Sequence, residues 1–196
     1  EGDIAVVNYN QQVFGNYNKI PNSQTAYILG LLCGDGGLSI KDRIYFSNAD
    51  KNLVLAADAY FKKNFGKGFT KTKNKYDYLI SDINIKEKIR SYGIEDTHAR
   101  GKKIPDSILL GPKKYTTSFL KGLFDTDGYC GKQEVELSSS SKKLTEQVSM
   151  LLWNLGIINR IHNRAKKYND QIQHYITISG SGLEAFAREI GFAAEF

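Results

Sequence analysis

The hydrophobic and polar positions along the chain follow one order twice. A continuous apolar stretch comes first, followed by a short alternating segment, a helix-like stretch, further alternating segments and a short closing helix. Continuous apolar runs are typical of buried helices, and alternation is typical of half-buried strands. The pattern therefore predicts the order αββαββα in each half. The segments lie at 27–36, 44–47, 51–65, 66–83 and 85–92 in the first half, and at 119–128, 135–138, 142–156, 157–179 and 182–190 in the second.

Two ten-residue segments show the repeat most clearly. Residues 27–36 and 119–128 align without a gap, and the offset between their aspartates is 127 − 35 = 92. An internal repeat bounds the architecture, because each unit must adopt the same supersecondary structure. We therefore predict an α+β fold of two pseudo-symmetric repeats. The residues that align are Gly30 with Gly122, Asp35 with Asp127, and Gly36 with Gly128.

The segments outside the repeat predict the domain boundaries. Residues 95–114 are rich in Gly, Pro and Lys. Pro105 and Pro112 exclude a long regular element there, although 106–110 can form a single helical turn. The chain is therefore divided into an N-terminal arm (1–22), a first repeat (23–94), a linker (95–114) and a second repeat (115–196).

The two apolar helices carry small residues at matching positions. Gly30 and Gly34 lie four residues apart in the first helix. Gly122 and Thr126 occupy the same positions in the second. Residues four apart share a helix face, and small side chains let two backbones approach closely. We expect the two helices to pack through these faces at the centre of the molecule.

Each central helix ends in an Asp-Gly pair. Glycine is typical of a left-handed helix cap, which we predict at both ends. Asp35 and Asp127 then emerge together at one end of the helix pair. Neighbouring carboxylates repel each other, and the negative ends of both helix dipoles add to that repulsion. A divalent cation offsets the repulsion, and oxygen ligands favour Mg²⁺.

The charge balance indicates a polyanionic partner. The chain has 27 Lys and Arg against 21 Asp and Glu, a formal net charge of +6, and its pI is about 9.1. A hydrophobic fraction of 41% argues for a folded core and against disorder. The basic residues concentrate in three clusters, which are Lys62, Lys63, Lys67, Lys71, Lys73 and Lys75; Arg100, Lys102, Lys103, Lys113 and Lys114; and Arg160, Arg164, Lys166 and Lys167.

Several classes of protein are disfavoured by what the sequence lacks. No apolar run reaches the length of a transmembrane helix, and the first ten residues lack the pattern of a secretory signal. We therefore expect an intracellular protein (cytoplasm, nucleoid or organelle matrix) with no membrane partner. Cys33 and Cys130 cannot alone form a disulfide framework or fill a zinc site, and we interpret both as buried free thiols. The histidines at 98, 162 and 174 share no repeat position.

Alternation in the strand segments predicts a polar sheet face. In the first segment, the inward residues are Leu38, Ile40, Ile44 and Phe46. A face of mixed donors and acceptors suits the base edges of the DNA major groove, although solvent exposure alone produces the same alternation. The predicted DNA-facing residues are Ser39, Lys41, Arg43, Tyr45 and Ser47 in the first half, and Glu134, Glu136, Ser138, Arg160, His162, Arg164, Lys166, Gln171, Gln173, Tyr175 and Thr177 in the second. Further contacts to DNA are expected from Lys67, Lys71, Lys73, Lys75, Lys113 and Lys114.

The central motifs resemble those of the LAGLIDADG homing endonucleases. Residues 28–36 and 120–128 align with the nine-residue motif that names this family. The resemblance implies a saddle of two antiparallel four-stranded sheets, with the motif helices packed at the centre. It also implies a monomer that requires no protein partner, because both motifs lie in one chain.

The same resemblance implies a site-specific double-strand DNA homing endonuclease. Such an enzyme hydrolyses one phosphodiester in each strand across the minor groove of a long site and leaves 3′ overhangs. Asp35 and Asp127 would be catalytic and would hold the metal, together with the backbone carbonyls of Gly34 and Thr126. The expected cofactor is Mg²⁺, with Mn²⁺ as a substitute and Ca²⁺ as an ion that binds without supporting cleavage.

A lysine pair resembles the segment that precedes the second motif in intein-type members of the family. Lys102 and Lys103 are followed by Ile-Pro. We assign the catalytic lysine to Lys103, with Lys102 as the alternative and a basic linker as the other interpretation. We assign no second lysine. Residues 1–7 also resemble the Gly-Asp strand that closes the N-terminal splicing domain of inteins, so intein and intron origins both stay open.

The repeat is broken at one position inside the motifs. Cys33 aligns with Asp125, so a carboxylate there cannot serve symmetric chemistry. We interpret Asp125 as a residue of helix-end structure or hydrogen bonding.

Two other functions are compatible with the same fold. An RNA-binding intron maturase would use the saddle without cutting DNA. A DNA-binding regulator would bind its site without cleavage, but relatives of that kind typically lose the acidic pair, which is intact here.

Overall fold

The computed structural model describes residues 10–165 and 171–193 of the chain. Its elements follow the predicted order twice, which confirms the α+β fold of two αββαββα repeats. The N-terminal strand expected at 1–7 and Lys166 lie outside the described residues. The first half contains α1 (Ser23–Asp35), β1 (Gly36–Gly37), β2 (Arg43–Ser47), α2 (Lys51–Phe65), β3 (Thr70–Lys71), β4 (Asp77–Ser81) and α3 (Ile83–Ser91). The linker contains a 3₁₀ turn (Ala99–Gly101) and α4 (Asp106–Leu109), and the second half contains α5 (Lys113–Asp127), β5 (Gly128–Cys130), β6 (Glu134–Ser139), α6 (Lys142–Asn154), β7 (Asn159–Ala165), β8 (Ile172–Ser179) and α7 (Ser181–Glu189).

Each half builds one antiparallel sheet of four strands. The strand orders are β1-β2-β4-β3 and β5-β6-β8-β7, so the two sheets have the same topology. The strand that directly follows each central helix lies at an edge of its sheet and pairs with the next strand. Both sheets therefore start at the carboxyl ends of α1 and α5.

Short polar side chains start four of the helices. In α1, for example, the Asn22 side-chain oxygen accepts a hydrogen bond of 2.8 Å from the backbone N–H of Thr25. Such a cap satisfies an amide that has no partner inside the helix. The four caps are Asn22 for α1, Asp50 for α2, Asp82 for α3 and Ser141 for α6.

The two central helices approach through their glycines, as predicted. A Cβ added to Gly30 would lie 2.1 Å from the Phe119 carbonyl oxygen, and one added to Gly122 would lie 2.2 Å from the Tyr27 carbonyl oxygen. These distances are far shorter than carbon and oxygen atoms tolerate without moving. The spacing of α1 and α5 therefore depends on having no side chain at either position.

The predicted left-handed caps after the aspartates are wrong. Gly36 has φ −121° and ψ −167°, and Gly128 has φ −87° and ψ 151°, which are extended conformations. Glycine is needed there for space instead, because a Cβ on Gly128 would lie 2.3 Å from the Phe124 carbonyl oxygen. The chain therefore passes directly from each helix into a strand.

The first alternating segment is shorter than predicted. Asp42 has φ 55°, so a turn precedes β2, and the Lys86 ammonium holds that turn by donating to the Ile40 carbonyl at 2.9 Å. As a result, Ile40 is 36% exposed rather than buried. The other inward predictions, Leu38, Ile44 and Phe46, are fully buried.

The linker contains the single helical turn that its sequence predicts, now α4. The next helix, α5, begins at Lys113, two residues before the predicted start of the second repeat at 115. Within the described parts of the chain, every helix is too short or too polar to cross a lipid bilayer.

The central contact leads to a first prediction. Gly122→Ala should lower the free energy of unfolding by about 1–3 kcal/mol, because the added methyl would overlap the Tyr27 backbone and force the helices apart. Gly37→Ala is the matched control, since a Cβ there would meet nothing within 4 Å. Urea denaturation of both variants measures the difference, and equal stability of the two would contradict the contact.

Candidate active site and nucleic-acid interface

The structure brings Asp35 and Asp127 to the same end of the central helix pair. Each is the last residue of its helix and is followed at once by an edge strand. Both residues are partly buried. The Asp127 carboxylate lies against the last turn of α1, where a Cβ on Gly34 would be 3.4 Å from its Oδ2. The helix contact therefore places both acidic groups between the two sheets.

Burial makes ionisation of these two groups unfavourable. It raises the pKa of Asp127 to about 7, with a further increase from the charge of Asp35 and a decrease from the Lys102 ammonium. Burial also raises the pKa of Asp35, although a hydrogen bond from Asn48 and the charge of Lys102 both oppose the increase. The Lys102 ammonium therefore does not fully compensate the cost of ionising the two carboxyl groups, since the pKa of each stays raised.

The lysine at this site is Lys102 and not Lys103, the residue that the sequence interpretation preferred. The Lys102 Nζ donates to the carbonyl oxygens of Gly34 at 2.5 Å and Gly36 at 3.3 Å. Lys103 turns away and forms an ion pair of 2.8 Å with Glu95. The 3₁₀ turn ends at Gly101, directly before the two lysines.

The residues present fit a divalent cation that is shared with other oxygen ligands. No group of three or more His, Cys, Asp or Glu side chains suitable for a metal occurs in the described ranges. A cation at this end of α1 and α5 would therefore be bound by the two carboxylates and by backbone carbonyls, with further oxygens from outside the protein. Mg²⁺ accepts such sites, because it keeps several waters and binds through one or two carboxylates plus phosphate.

Asn48 is a site residue that sequence reasoning missed. Its side-chain Nδ2 donates to Asp35 Oδ2 at 2.7 Å, from the loop between β2 and α2. The bond fixes the orientation of the carboxylate. Its signal in the sequence was weak, because an Asn next to a helix start is normally interpreted as a turn residue.

Asp125 forms the hydrogen bonds that were predicted for it. Its carboxylate accepts from the Tyr27 hydroxyl at 2.8 Å and from the backbone N–H of Ala193 at 2.8 Å. The repeat offset of 92 relates Tyr27 to Phe119 and Asp125 to Cys33, both of which are buried. The central contact therefore carries a polar pair at one position and apolar residues at the symmetry-related one.

The two cysteines have different environments. Cys33 is buried, as expected, and burial raises the pKa of its thiol to about 12. Cys130 is exposed at the end of β5, so the prediction that it is buried is wrong.

The predicted polar face of the second sheet is present. Register pairs Glu136 with Thr177, and Thr177 in turn with Arg160, so these side chains share one face. The same face carries Glu134, Ser138, His162, Arg164, Gln173 and Tyr175, and Gln171 precedes β8 in the same alternation. Thr177 is itself buried, at 6% exposure.

The first sheet presents a smaller polar face. Tyr45 lies opposite Leu79, and Ser47 lies opposite Asp77, whose carboxylate accepts from the Ser47 hydroxyl at 2.6 Å. Arg43 is exposed at the start of β2. Ser39 and Lys41 are exposed too, but they lie in the turn before the strand.

The lysines of the first half that were predicted to contact DNA have different environments. Lys73 and Lys75 are exposed in the hairpin between β3 and β4, whereas Lys71 pairs with Tyr78 on the same side of the sheet as Phe46. Lys67 donates to the Ser81 carbonyl at 2.6 Å.

Lys113 and Lys114 do not lie near the aspartates. They start α5, a helix of 15 residues whose other end is Asp127, so about 21 Å of helix separates them from the carboxylate. Lys113 also forms an ion pair of 2.7 Å with Glu189. Both lysines therefore lie in α5 rather than in the linker and away from the candidate active site, and their expected contacts to DNA stay a prediction.

Comparisons with known proteins agree with this fold. The family model of the LAGLIDADG-like domain matches residues 114–191, which confirms the family resemblance that the motifs indicated. Structures of the homing endonuclease I-DmoI superpose with a TM-score of 0.67 at 22% identity, covering 86% of this chain and 95% of that chain. The DUF199/WhiA structure superposes with a TM-score of 0.60 at 17% identity, covering 88% of this chain and 57% of that chain. At these identities the superpositions show the fold alone.

The chain also matches short parts of several much longer proteins. It is 31% identical over 84% of its length to the replication factor C small subunit of Thermococcus kodakarensis and spans 19% of that protein. It is 27% identical over 92% of its length to the probable translation initiation factor IF-2 of Methanocaldococcus jannaschii and spans 16% of it. A third match, at 31% identity, covers 84% of the chain and 11% of the DNA polymerase of Thermococcus hydrothermalis.

The raised pKa of Asp127 gives a second prediction. In metal-free protein, folding raises this pKa from its ordinary value of 3.8 to about 7, so the folded state binds a proton between these pH values more readily than the unfolded state. The free energy of unfolding should therefore fall as pH rises from about 4 to about 7, with a slope of at most about 1.4 kcal/mol per pH unit. Asp127→Asn should remove most of that fall and be more stable than the wild type at pH 8.

Urea denaturation in the presence of a chelator, repeated across this pH range, measures the effect. The exposed Asp42→Asn is the control and should keep the wild-type pH dependence. An Asp127→Asn protein with an unchanged pH profile would show that the carboxylate is ionised without cost.

Proposed function

We propose that the chain is a site-specific double-strand DNA endonuclease that hydrolyses one phosphodiester in each strand across the minor groove and leaves 3′ overhangs. The observation that carries this proposal is the pair Asp35 and Asp127, held by close helix packing between two sheets of the same topology. The structural likeness to I-DmoI, which was solved in complex with its target DNA and Mn, supports it.

The site would bind divalent metal through a defined set of oxygens. Asp35 and Asp127 would hold it, with the Thr126 carbonyl and the second lone pair of the Gly34 carbonyl, whose first lone pair accepts from the Lys102 ammonium. A bound metal would supply a water of lowered pKa and positive charge near the scissile phosphate. Mg²⁺ is the proposed cofactor, with Mn²⁺ able to replace it and Ca²⁺ able to bind without cleavage. Structures of I-DmoI with Mn, Mg or Ca are consistent with such a site.

Lys102 is the proposed catalytic lysine in place of Lys103. Its ammonium is fixed by the carbonyls of Gly34 and Gly36, and it lowers the pKa of both aspartates. A positive charge held there favours the ionised carboxylates and would stabilise charge that develops on the scissile phosphate. Asn48 is a proposed positioning residue, since it donates a hydrogen bond to the Asp35 carboxylate and so orients it.

The polar faces of the two sheets are the proposed DNA-binding surface. Each face belongs to the sheet whose first strand directly follows one of the two aspartates. The mixture of Arg, Gln, Glu, Ser and Tyr on these faces can read base edges in the major groove. A net charge of +6 favours association with DNA. Because α1 and α5 already pack against each other within one chain, we propose that a monomer binds the site.

The chain is proposed to be a mobile segment of intein type. Replication factor C, an initiation factor and a DNA polymerase are named as different proteins, yet each contains a stretch similar to most of this chain. That stretch is only 11% to 19% of each of these proteins. A segment that recurs inside proteins of different function is expected for a DNA element that spreads between genes, and an endonuclease provides the break that such spreading needs.

The aspartates provide a direct test of the proposal. Asp35→Asn and Asp127→Asn should each abolish double-strand cutting with Mg²⁺ while DNA binding stays near normal, because asparagine has the same shape but is a poor metal ligand. Asp125→Asn is the matched control on the same helix end, and it should still cut. Cleavage products from a library of DNA duplexes, resolved by sequencing of their ends, measure both activity and overhang.

The outcomes separate the proposed activity from its alternatives. If both aspartate variants still cut DNA, the assignment of Asp35 and Asp127 as the catalytic site would be wrong. Sequence-specific DNA binding by wild type with no cutting would indicate a regulator, and binding to structured RNA in preference to DNA would indicate a maturase.

The two lysines provide a further prediction. Lys102→Met should reduce the cleavage rate about 100-fold or more, since it removes the ammonium next to both aspartates. Lys103→Met removes only the ion pair with Glu95 and should cut at close to the wild-type rate. Single-turnover cleavage with excess enzyme measures both rates, and the reverse ranking would restore Lys103 as the catalytic lysine.

A further inference from the structure

One cluster on the polar face of the second sheet stands out by its charges. Glu136 on β6, Arg164 on β7 and Tyr175 on β8 lie on three neighbouring strands. The Arg164 guanidinium lies over the Tyr175 ring, 4.8 Å from its centroid, and its NH2 is 3.8 Å from Glu136 Oε2. His162 stacks on the same ring at 5.2 Å. A positive and a negative group are therefore held side by side by an aromatic platform.

The two charged groups keep their hydrogen-bonding capacity. A separation of 3.8 Å is an ion pair but too long for a hydrogen bond. The Arg164 side chain is 61% exposed, whereas the Glu136 side chain is 18% exposed. Among residues 10–165 and 171–193 no hydrogen-bond partner takes up the Arg164 guanidinium, which presents its donors to solvent, and the carboxylate presents acceptors at a fixed place beside it. Such restraint reduces the entropy that is lost on binding.

A base pair with the complementary pattern is G·C. In the major groove, guanine presents two acceptors, N7 and O6, and cytosine presents its N4 donor next to O6. We propose that Arg164 and Glu136 together recognise one G·C base pair, with Arg164 donating to guanine N7 and O6 and Glu136 accepting from cytosine N4. This proposal rests on the DNA-binding function proposed above.

The same geometry rejects the other ligands. In the reversed pair, guanine acceptors would face the Glu136 carboxylate, and in an A·T pair the adenine N6 donor would face the Arg164 donors. A T·A pair presents thymine O4 and adenine N6 at the places of guanine O6 and cytosine N4, but its methyl group stands where guanine N7 would be. Arg164 would then lose one of its two hydrogen bonds. A phosphate would be repelled by Glu136, which lies 3.8 Å from the arginine that would bind it. The cluster is therefore suited to a base edge and to one orientation of one base pair. Tyr175 acts as a positioning residue for Arg164.

Binding selection from a library of random-sequence duplexes, without added Mg²⁺, tests the proposal. Wild type should require G·C at one position of its selected site. Arg164→Ala and Glu136→Gln should each reduce that preference about 5- to 150-fold at the same position and leave the other positions unchanged. The double variant should lose little more than either single variant, since both residues read one base pair. Tyr175→Leu should weaken the same preference to a smaller extent.

Arg43→Ala is the matched control, because it removes an exposed arginine from the polar face of the other sheet. It should leave the preference at the G·C position intact. Thermal melting of each variant shows whether it is folded, and a folded variant with lost preference supports the proposal. A folded Arg164→Ala with an unchanged preference would overturn it and reduce the cluster to a surface ion pair. If wild type itself selects no sequence, the proposed DNA-binding function fails and not the readout alone.

Discussion

The structure depends on the contact between two glycines and two backbone oxygens. Because Gly30 and Gly122 carry no side chain, α1 and α5 approach until their backbones touch. That distance sets how close the carboxyl ends of the two helices lie, and these ends carry Asp35, Asp127 and the first strand of each sheet. The candidate active site and the two polar sheet faces therefore depend on a contact formed by backbone atoms alone, without any catalytic or DNA-binding side chain.

Close packing also creates the electrostatic problem at the site. The same approach that brings Asp35 and Asp127 together removes them from water, and burial raises the pKa of both carboxyls. Lys102 and Asn48 offset part of this cost, but both act most directly on the first half of the molecule. Two carboxylates with only one neighbouring ammonium leave an excess of negative charge, which favours binding of a cation.

The sequence predicted the fold well, and the site only in part. The repeat and its periodicity identified the helices, and the helix predicted at 51–65 has the bounds observed for α2. The predictions that failed depended on local geometry. Ile40 is exposed because a turn at Asp42 shifts the start of β2, and the lysine that reaches the Gly34 carbonyl is Lys102, which comes directly after a 3₁₀ turn. Neither turn has a periodic signal, and the contact between Asn48 and Asp35 joins two segments whose distance apart no pattern encodes.

The hydrogen bond between Tyr27 and Asp125 bears on how the two halves could have diverged. It crosses from α1 to α5, and the symmetry-related positions hold Phe119 and Cys33. Two copies of the second half would leave Asp125 facing a phenylalanine, so this partly buried carboxylate would lose the Tyr27 donor and keep only the backbone N–H of Ala193. The first half supplies the hydroxyl donor and the second half supplies the carboxylate acceptor. Pairing of either half with a second copy of itself would lose this hydrogen bond, which favours keeping the two halves in one chain.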